Sequence, residues 1–466
     1  MNDAALAERA WRAGDAIAAI AAADRALAAA TEPRAAGVAA AAAAADGALG
    51  DATARWRGVA EMVDGVAAVE ARGRAALTAA LAGDRDAAAA ELGRARGGLA
   101  HPAPRGVAVL LNGVQAVLDA VGGDLAGAAT RLAGLAAATV PPDPFAVEPW
   151  PDLAVEVVLA SGDDDTARAM LAAHDSPPGL RRLLLAAWLD LRAGRFAEAR
   201  AGLAAAAGRP ALRRDALLAA AVSAGLARRT TDPALVARTW HRIAPVVAGA
   251  DVEILLVDVW GELSVSAATV AAPAAAAIAA GIDGVIERAG RPAWAVASGS
   301  WWQVQRAAAT GSACAAPATI PGGSAYLDAT AAGVRAWVEV LGGRVDPTAV
   351  REAGDRLVAA GRPWEAAALC AAAARRTDDP AATRELLGAG RGWRGRGGRD
   401  RGAGPDGLSE REREIGRLIL DGHTHREIGA RLYISPKTVE QHVARLRQKL
   451  SVAGRAELMS ALRSRL

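Results

Sequence analysis

Residues 1–390 carry apolar positions at helical spacing in one run after another, and convincing β-alternation is scarce. A short sequence unit separates the runs: a small residue, a glycine, usually aspartate or arginine, then three residues and an alanine or threonine. Such a glycine is typical of a left-handed helix C-cap followed by a new helix. The unit occurs as AGDAIAA at 13, AGDRDAA at 82, GGDLAGA at 122, SGDDDTA at 161, AGRFAEA at 193 and AGRPWEA at 360.

Glycines 83, 123, 162 and 194 are 40, 39 and 32 residues apart. This spacing is similar to that of tetratricopeptide-type helical hairpins, whose repeat is about 34 residues. The pattern therefore predicts an all-α fold in which helical hairpins form a solenoid. An irregular helical bundle remains the alternative. The run VEILLVDVW at 252–260 has the residue content of a strand, although it stands among helical runs.

Residues 408–466 show a sharper helical pattern, with capping boxes at two helix starts. Ser409 with Glu412, and Thr424 with Glu427, have the three-residue spacing at which a hydroxyl and a glutamate cap each other's backbone amides. Gly422 ends the first helix, and Ser435 with Pro436 begins the third. A fourth helix follows in GRAELMSALRSRL.

The third helix has two opposite faces. Val439, Val443, Leu446 and Leu450 fall at i, i+4, i+7 and i+11 and form a stripe that we expect to be buried. A helix held from behind by two others, with a polar outer face, suits the major groove of DNA. The predicted DNA-binding residues are Thr424, Ser435, Lys437, Thr438, Glu440, Gln441, His442, Ala444, Arg445 and Lys449.

Charge supports a nucleic-acid partner for this end of the chain. Residues 1–390 hold 37 Arg against 42 Asp and Glu, whereas residues 408–466 hold 12 Lys and Arg against 7 acids, so the two regions carry −5 and +5. The chain has 54 Lys and Arg, of which only Lys437 and Lys449 are lysines, and both lie in the third helix. A basic terminal region on an acidic body is typical of binding to a polyanion.

The C-terminal segment resembles the LuxR-type (GerE-like) helix-turn-helix family over about 50 residues without a gap. The residues that carry the resemblance are LSEREREIGRLILDGHTHREIGARLYISPKTVEQHVARLRQKLSVAGRAEL. The resemblance implies a four-helix module whose third helix reads DNA and whose fourth helix forms a two-fold dimer. It implies base contacts from Glu440, Gln441 and Ala444. It places Thr438, His442 and Lys449 at phosphate-facing or structural positions.

The larger design is similar to the large ATP-dependent LuxR regulators, with their helical repeat region but without the ATPase. Residues 1–390 contain no lysine, which a phosphate-binding loop and a receiver domain both require. Three regions are predicted: a helical-repeat sensor or interaction domain at 1–390, a Gly/Arg-rich linker at 391–407, and the DNA-binding domain at 408–466.

Other chemistry has little support in the sequence. Cys314 and Cys370 are too few for a disulfide framework or a four-ligand zinc site, so neither a metal nor a cofactor is expected. We expect a soluble cytoplasmic protein, because no signal peptide or membrane-spanning run is apparent. His101, His174 and His241 stand far apart without an accompanying nucleophile motif, and an enzyme is not predicted.

These patterns predict a sequence-specific DNA-binding transcriptional regulator. We expect it to bind double-stranded DNA as a homodimer through Leu458, Met459 and Leu462. The helical region would meet a protein or a small ligand. The alternative is a helical-repeat interaction scaffold with a degenerate DNA-binding module, since Glu440 and Ala444 stand where related proteins often carry basic residues.

Overall fold

The computed structural model describes most of the chain. The described residues are 2–99, 102–136, 143, 145–146, 148–173, 179–208, 212–230, 232–314, 320, 322–397, 410–432, 436–450, 452 and 454–464. They form two compact units, Met1–Leu387 and Gly388–Leu466. Within these ranges every regular element is a helix, which confirms the all-α prediction.

In its described residues the first unit has twenty α-helices, a 3₁₀ helix and the start of a further α-helix. Its helices are α1 (Asp3–Arg12), α2 (Ala16–Ala29), α3 (Pro33–Ala45), α4 (Leu49–Met62), α5 (Gly65–Leu81), α6 (Arg85–Gly97), α7 (Arg105–Val121), α8 (Leu125–Ala136), α9 (Trp150–Ser161), α10 (Asp164–Ala172), α11 (Leu180–Arg192), α12 (Phe196–Ala206), α13 (Arg213–Arg228), α14 (Pro233–Val247), α15 (Val257–Ala268), α16 (Ala272–Arg288), α17 (Ala293–Thr310), α18 (Ala325–Leu341), α19 (Pro347–Ala359) and α20 (Pro363–Ala374).

Two elements depart from what the sequence suggests. The apolar run at 252–260 is not a strand: Ile254–Leu256 forms a 3₁₀ helix and α15 begins at Val257. Helix α21 (Pro380–Gly397) extends seven residues into the predicted linker at 391–407. The rest of that linker lies outside the described residues. The glycines of α21 disfavour helix by propensity, but Trp393 is buried, and burial of an apolar side chain stabilises a helix beyond its intrinsic propensity.

All six glycines of the short sequence unit adopt the predicted left-handed conformation, with positive φ at Gly14, Gly83, Gly123, Gly162, Gly194 and Gly361. Where aspartate follows the glycine, it caps the next helix. The Asp15 carboxylate accepts from the amide of Ala18 at 2.9 Å, and the Asp84 carboxylate accepts from that of Ala87 at 3.1 Å. The short glycine-containing sequence unit thus ends one helix and starts the next, as its sequence predicts.

Consecutive helices of the first unit pack against one another. The contacts include α1 with α2, α2 with α3, α3 with α4, and α4 with α5, and they continue through α19 with α20. Most of the connections are a few residues long, which makes neighbours of successive helices, as in helical-hairpin arrays. The core contains many alanines, and Ala35–Ala45 of α3 is buried on all sides. A tetratricopeptide-like repeat stays a prediction.

Among the described residues, buried ion pairs hold these helices to one another in clusters, three of which are named here by a central residue. The Arg181 cluster comprises Glu148, Glu156, Arg181, Arg214, Asp215 and Glu253. The Arg192 cluster comprises Asp164, Arg192, Asp258 and Arg362. The Glu262 cluster comprises Arg228, Arg229, Glu262 and Glu365.

The Glu262 cluster shows how such a contact works. Glu262 is fully buried on α15, and Arg228 Nε and Arg229 Nη1 of the α13 end lie 2.6 and 3.1 Å from its carboxylate oxygens. Arg229 Nη2 also lies 3.0 Å from Glu365 on α20. Burial raises the pKa of Glu262, but the two guanidinium groups outweigh it and lower that pKa to about 2. The cluster thereby joins α13 and α15 to α20, whose Glu365 lies 136 residues after Arg229.

The Arg192 cluster also fixes one of the helix-ending glycines. Gly162 has a φ of 80°, and a Cβ built there would lie 2.1 Å from Cδ2 of Tyr326. The Tyr326 hydroxyl accepts a hydrogen bond from Arg362, whose guanidinium also lies 3.4 Å from Asp258. Position 162 therefore needs glycine both for its backbone conformation and for the close approach of an aromatic ring.

Candidate DNA-binding module

Four short helices form the module at the C-terminal end of the second unit. They are α22 (Glu410–Leu420), α23 (His425–Leu432), α24 (Pro436–Leu450) and α25 (Arg455–Arg463). Their aliphatic side chains make a core of their own, which contains Ile415, Ile419, Ile428, Val439, Val443, Leu446, Leu450, Leu458 and Leu462. This core fixes the angle at which each helix presents its outer surface.

The turn between α22 and α23 is built as its sequence predicts. Gly422 has a φ of 86° and follows the end of α22. The Thr424 amide donates to the Glu427 carboxylate at 2.8 Å, and the Glu427 amide donates to the Thr424 hydroxyl at 3.3 Å. This reciprocal capping box fixes the start of α23. Thr424 is exposed. Ser409, in the other predicted box, lies outside the described residues.

The predicted buried stripe of α24 is confirmed. Val439 and Leu446 are fully buried, and Val443 and Leu450 are nearly so. Pro436 occupies the first helical position, where its missing N–H costs no helical hydrogen bond. Because the stripe faces the module's core, the opposite side of α24 faces away from it.

That opposite side includes predicted DNA-binding residues. Glu440 and Ala444 are exposed and His442 is half-buried. With about 100° per residue, positions 437, 441 and 444 share one row on the backbone of α24. Lys437, Thr438, Gln441, Arg445 and Lys449 all belong to this helix, but their side chains lie outside the described part. Ser435 lies outside the described residues altogether.

The dimer contact predicted through α25 needs correction. Leu458 and Leu462 are 1% and 0% exposed because they close the module's own core. Neither side chain is available to a second copy of the chain. Met459 is half-buried, and Ser460 next to it is exposed. The amphipathic pattern of α25 was correct, but its apolar side is covered by α22 and α24.

The start of α25 contains a cap that the sequence reasoning missed. The Gly454 amide donates to the Glu457 carboxylate at 3.2 Å. Glutamate three residues after the helix boundary is the same signal that marks Thr424 and Glu427, so this spacing in GRAEL could have revealed it.

Comparison with known proteins agrees with this geometry. Residues 406–462 match the family described as bacterial regulatory proteins, luxR family. Over 55 residues the chain is 42% identical to the spore germination protein GerE of Bacillus subtilis, a stretch that covers 12% of this chain and 74% of GerE. The chain belongs to the luxR family. Members of the luxR family are DNA-binding transcription regulators.

Other luxR-type relatives are longer than the region they share with this chain. The transcriptional regulatory protein DegU of Brevibacillus brevis is 46% identical over 50 residues, which are 11% of this chain and 21% of DegU. A Mycobacterium bovis protein named as an HTH-type transcriptional regulator is 40% identical over 67 residues. That match spans 14% of this chain and only 8% of the relative. The likeness to these relatives therefore concerns the luxR module and not the first unit.

No helix within the described ranges combines the length and apolarity needed to cross a bilayer.

Proposed function

We propose that the chain is a sequence-specific transcriptional regulator whose helix α24 reads the major groove of DNA. The observation that supports this most is the burial of Val439, Val443 and Leu446 behind α24, with Glu440 and Ala444 exposed on its other side. A recognition helix needs this arrangement, since its base contacts must project from a helix that the rest of the module holds in place.

Base readout is assigned to Glu440, Gln441 and Ala444 of α24. Gln441 can bond an adenine through both of its amide atoms, and the Glu440 carboxylate can accept from the amino group of cytosine. Ala444 has a small side chain, which allows the helix backbone to approach the base edges closely. These three residues would set the sequence preference.

Phosphate contacts are assigned to Lys437, Thr438, Arg445 and Lys449, which also belong to α24. The N-terminus of the helix adds a favourable dipole for a phosphate near Ser435. Thr424 and His442 would help to position the module against the backbone of the duplex. Such contacts fix the register of the protein but carry no sequence information.

We further propose that two chains bind DNA as a homodimer. The side of α25 that carries half-buried Met459 and exposed Ser460 is the surface proposed for this contact, in place of the buried leucines. Half-sites would then lie about one helical turn of DNA, or roughly 10 bp, apart or at a multiple of that distance. The first unit would provide the input by binding a protein or a small ligand.

The test compares two substitutions on α24 with purified full-length protein and a selected genomic fragment. Gln441→Ala should change which sequences are bound. Lys437→Ala should weaken binding to all sequences alike and reduce the dependence of log affinity on log salt by about one unit. Electrophoretic mobility shifts at several salt concentrations measure both effects. If both variants kept the sequence preference and the salt dependence of the wild type, α24 would not be the helix that reads the groove.

One observation favours a second function, a protein-interaction scaffold. The exposed Glu440 carboxylate stands on the surface that would face DNA, where phosphates repel it. In that case affinity capture would return protein partners, and the salt titration with duplex DNA would be flat. Glu440→Gln would then leave the titration flat, whereas a DNA reader that uses Glu440 on a cytosine would lose its preference for that base after this change.

A further inference from the structure

A group of arginines on the first unit differs from the other ion-pair clusters in charge and exposure. Arg57 on α4, Arg72 on α5 and Arg94 on α6 all approach the carboxylate of Glu91 on α6. We refer to these four residues as the Glu91 cluster. Three positive charges surround one negative charge, which leaves an excess of two.

Glu91 is the buried member that organises the group. Its side chain is 1% exposed, whereas those of Arg57, Arg72 and Arg94 are 41%, 30% and 52% exposed. Arg57 Nε donates to it at 2.7 Å and Arg94 Nη2 at 2.5 Å, while Arg72 Nη1 lies 3.5 Å away. The carboxylate therefore holds three guanidinium groups together at the surface.

The charge of Glu91 is maintained by its neighbours. Burial by itself raises the pKa of Glu91, but hydrogen bonds from Arg94 and Arg57 outweigh it and hold that pKa below its ordinary value. Glu91 is consequently ionised near neutral pH, and the excess of two positive charges persists there.

The comparison with the buried clusters shows that this excess is unusual in the unit. The Arg192 and Glu262 clusters each contain two arginines and two acids, and the Arg181 cluster has two arginines against four acids. Those clusters are buried and serve to join helices. The Glu91 cluster alone among these four places unneutralised guanidinium groups at the protein surface.

Donors remain available in the Glu91 cluster. Among contacts within the described residues, Arg57 uses only Nε toward Glu91, so its two terminal nitrogens can donate elsewhere. Guanidinium groups bind phosphate oxygens with paired, charge-assisted hydrogen bonds. A phosphate monoester carries about −1.5 to −2 at pH 7, which matches the excess charge of the cluster.

We propose that Arg57, Arg72 and Arg94 form a binding site for a phosphate monoester group. A long polyanion suits the site less well, because residues 1–390 carry a net charge of −5 and the excess is confined to one point. The phosphate group would belong either to a phosphorylated small molecule or to a phosphorylated side chain of a partner. Both sources share the chemistry that the arginines recognise.

The test uses calorimetric titration of the full chain at constant ionic strength. Phenyl phosphate represents the small molecule, a short phosphoserine peptide represents the partner, and phenyl sulfate is the singly charged control for both. We expect saturable binding of at least one phosphate probe with one site per chain, and weaker binding of phenyl sulfate. The probe that binds more tightly identifies the source of the phosphate.

Two variants locate the site. Arg57→Gln and Arg72→Gln should each weaken phosphate binding roughly tenfold, because each removes a charge-assisted hydrogen bond. Arg72→Gln is the safer variant, since its 3.5 Å contact leaves the Arg57 and Arg94 bonds to Glu91 intact. Arg344→Gln is the matched control, because Arg344 forms an exposed one-to-one pair with Glu339.

Several results would overturn the site. These are the absence of saturable phosphate binding, equal loss in Arg72→Gln and Arg344→Gln, or an Arg72→Gln effect seen with a short DNA duplex but not with the phosphate probes. Circular dichroism confirms that each variant is folded. The experiment makes no use of promoter binding by α24, so its outcome is independent of the function proposed for the luxR module.

Discussion

The first unit and the C-terminal module are both entirely helical where described, yet their interiors are built differently. The first unit buries arginines and acids in clusters between helices, as in the pair of Arg214 and Glu253. The module's core is aliphatic, and none of the described charged side chains in it is buried. Buried charge thus adds to an apolar core in the first unit, whereas the described core of the module is apolar alone.

Alanine explains the difference. The first unit buries leucine, valine, isoleucine and tryptophan too, but many of its buried positions are alanine, which removes little apolar surface from water per residue. Long charged side chains add contacts between its helices. Arginine provides such contacts with both its apolar stem and its planar head. The module has isoleucine, valine and leucine at its core positions and needs no buried charge.

The largest effect is expected from Leu446→Ala in the module. Leu446 is fully buried, and truncating such a leucine costs about 2–5 kcal/mol. A domain of this size has a total stability on the order of 3–8 kcal/mol, so the module should unfold partly or completely. Amide hydrogen exchange of residues in α22–α25 would measure the loss.

Leu357→Ala is the matched change in the first unit, where Leu357 is also fully buried. The cost should be similar, but the larger unit should remain folded. Eleven of the 12 tryptophans lie in the first unit and only Trp393 outside it, so tryptophan fluorescence during urea unfolding reports on that unit. Unfolding of the first unit in Leu357→Ala would contradict the expectation that the larger unit tolerates the loss of one buried leucine better than the module does.

A slightly smaller effect is expected from Glu262→Gln in the first unit. The two arginines lower the pKa of Glu262 to about 2 from an ordinary value of 4.5. That difference corresponds to about 3 kcal/mol of stability at pH 7, which the neutral amide would forfeit. Tryptophan fluorescence should show the loss, whereas amide exchange in the luxR module should be unchanged.

The pH dependence of this loss has a definite sign. A carboxyl whose folded pKa is depressed contributes stability above its unfolded pKa and loses it as pH falls toward the folded value. The difference in unfolding free energy between wild type and Glu262→Gln should therefore be full above about pH 5 and shrink toward pH 2. A difference independent of pH would show that Glu262 acts by packing alone.

The smallest effects are expected at helix caps. Thr424→Ala removes the capping box of α23, and Asp346→Ala removes two bonds to the amides of Thr348 and Ala349 at the start of α19. Each change should cost about 1 kcal/mol. Thr424→Ser, which keeps the hydroxyl, should retain most of the stability. Unfolding of the respective unit in urea measures each loss.

Local features were predictable from the sequence because they depend on neighbours within one turn. The left-handed glycines, the Thr424–Glu427 box and the stripe from Val439 to Leu450 all belong to this class. The error at Leu458 and Leu462 has a physical origin. An apolar stripe shows that a helix is covered on one side, but it does not show whether its own module or a second chain covers it.

The ion-pair clusters were not predicted, because their members come from different helices. A signal was nevertheless present in their spacing. Glu148 precedes Arg181 by 33 residues, and Arg228 precedes Glu262 by 34. Opposite charges separated by one repeat length would have suggested contacts between successive hairpins. Distances of this kind still do not reveal which arginine is buried, since that depends on how closely the alanine-rich helices approach.

The buried arginines have a consequence for heating. Transferring a charged group out of water becomes less unfavourable as temperature rises, because the hydration of ions carries a strongly negative entropy. The free-energy cost of removing Arg229, Glu262 and Glu365 from water therefore falls on warming. Their contacts keep more of their net stabilising effect than that cost at room temperature would indicate. In a calorimetric scan the alanine-rich unit should melt after the luxR module, so DNA recognition would be the heat-labile part of the molecule.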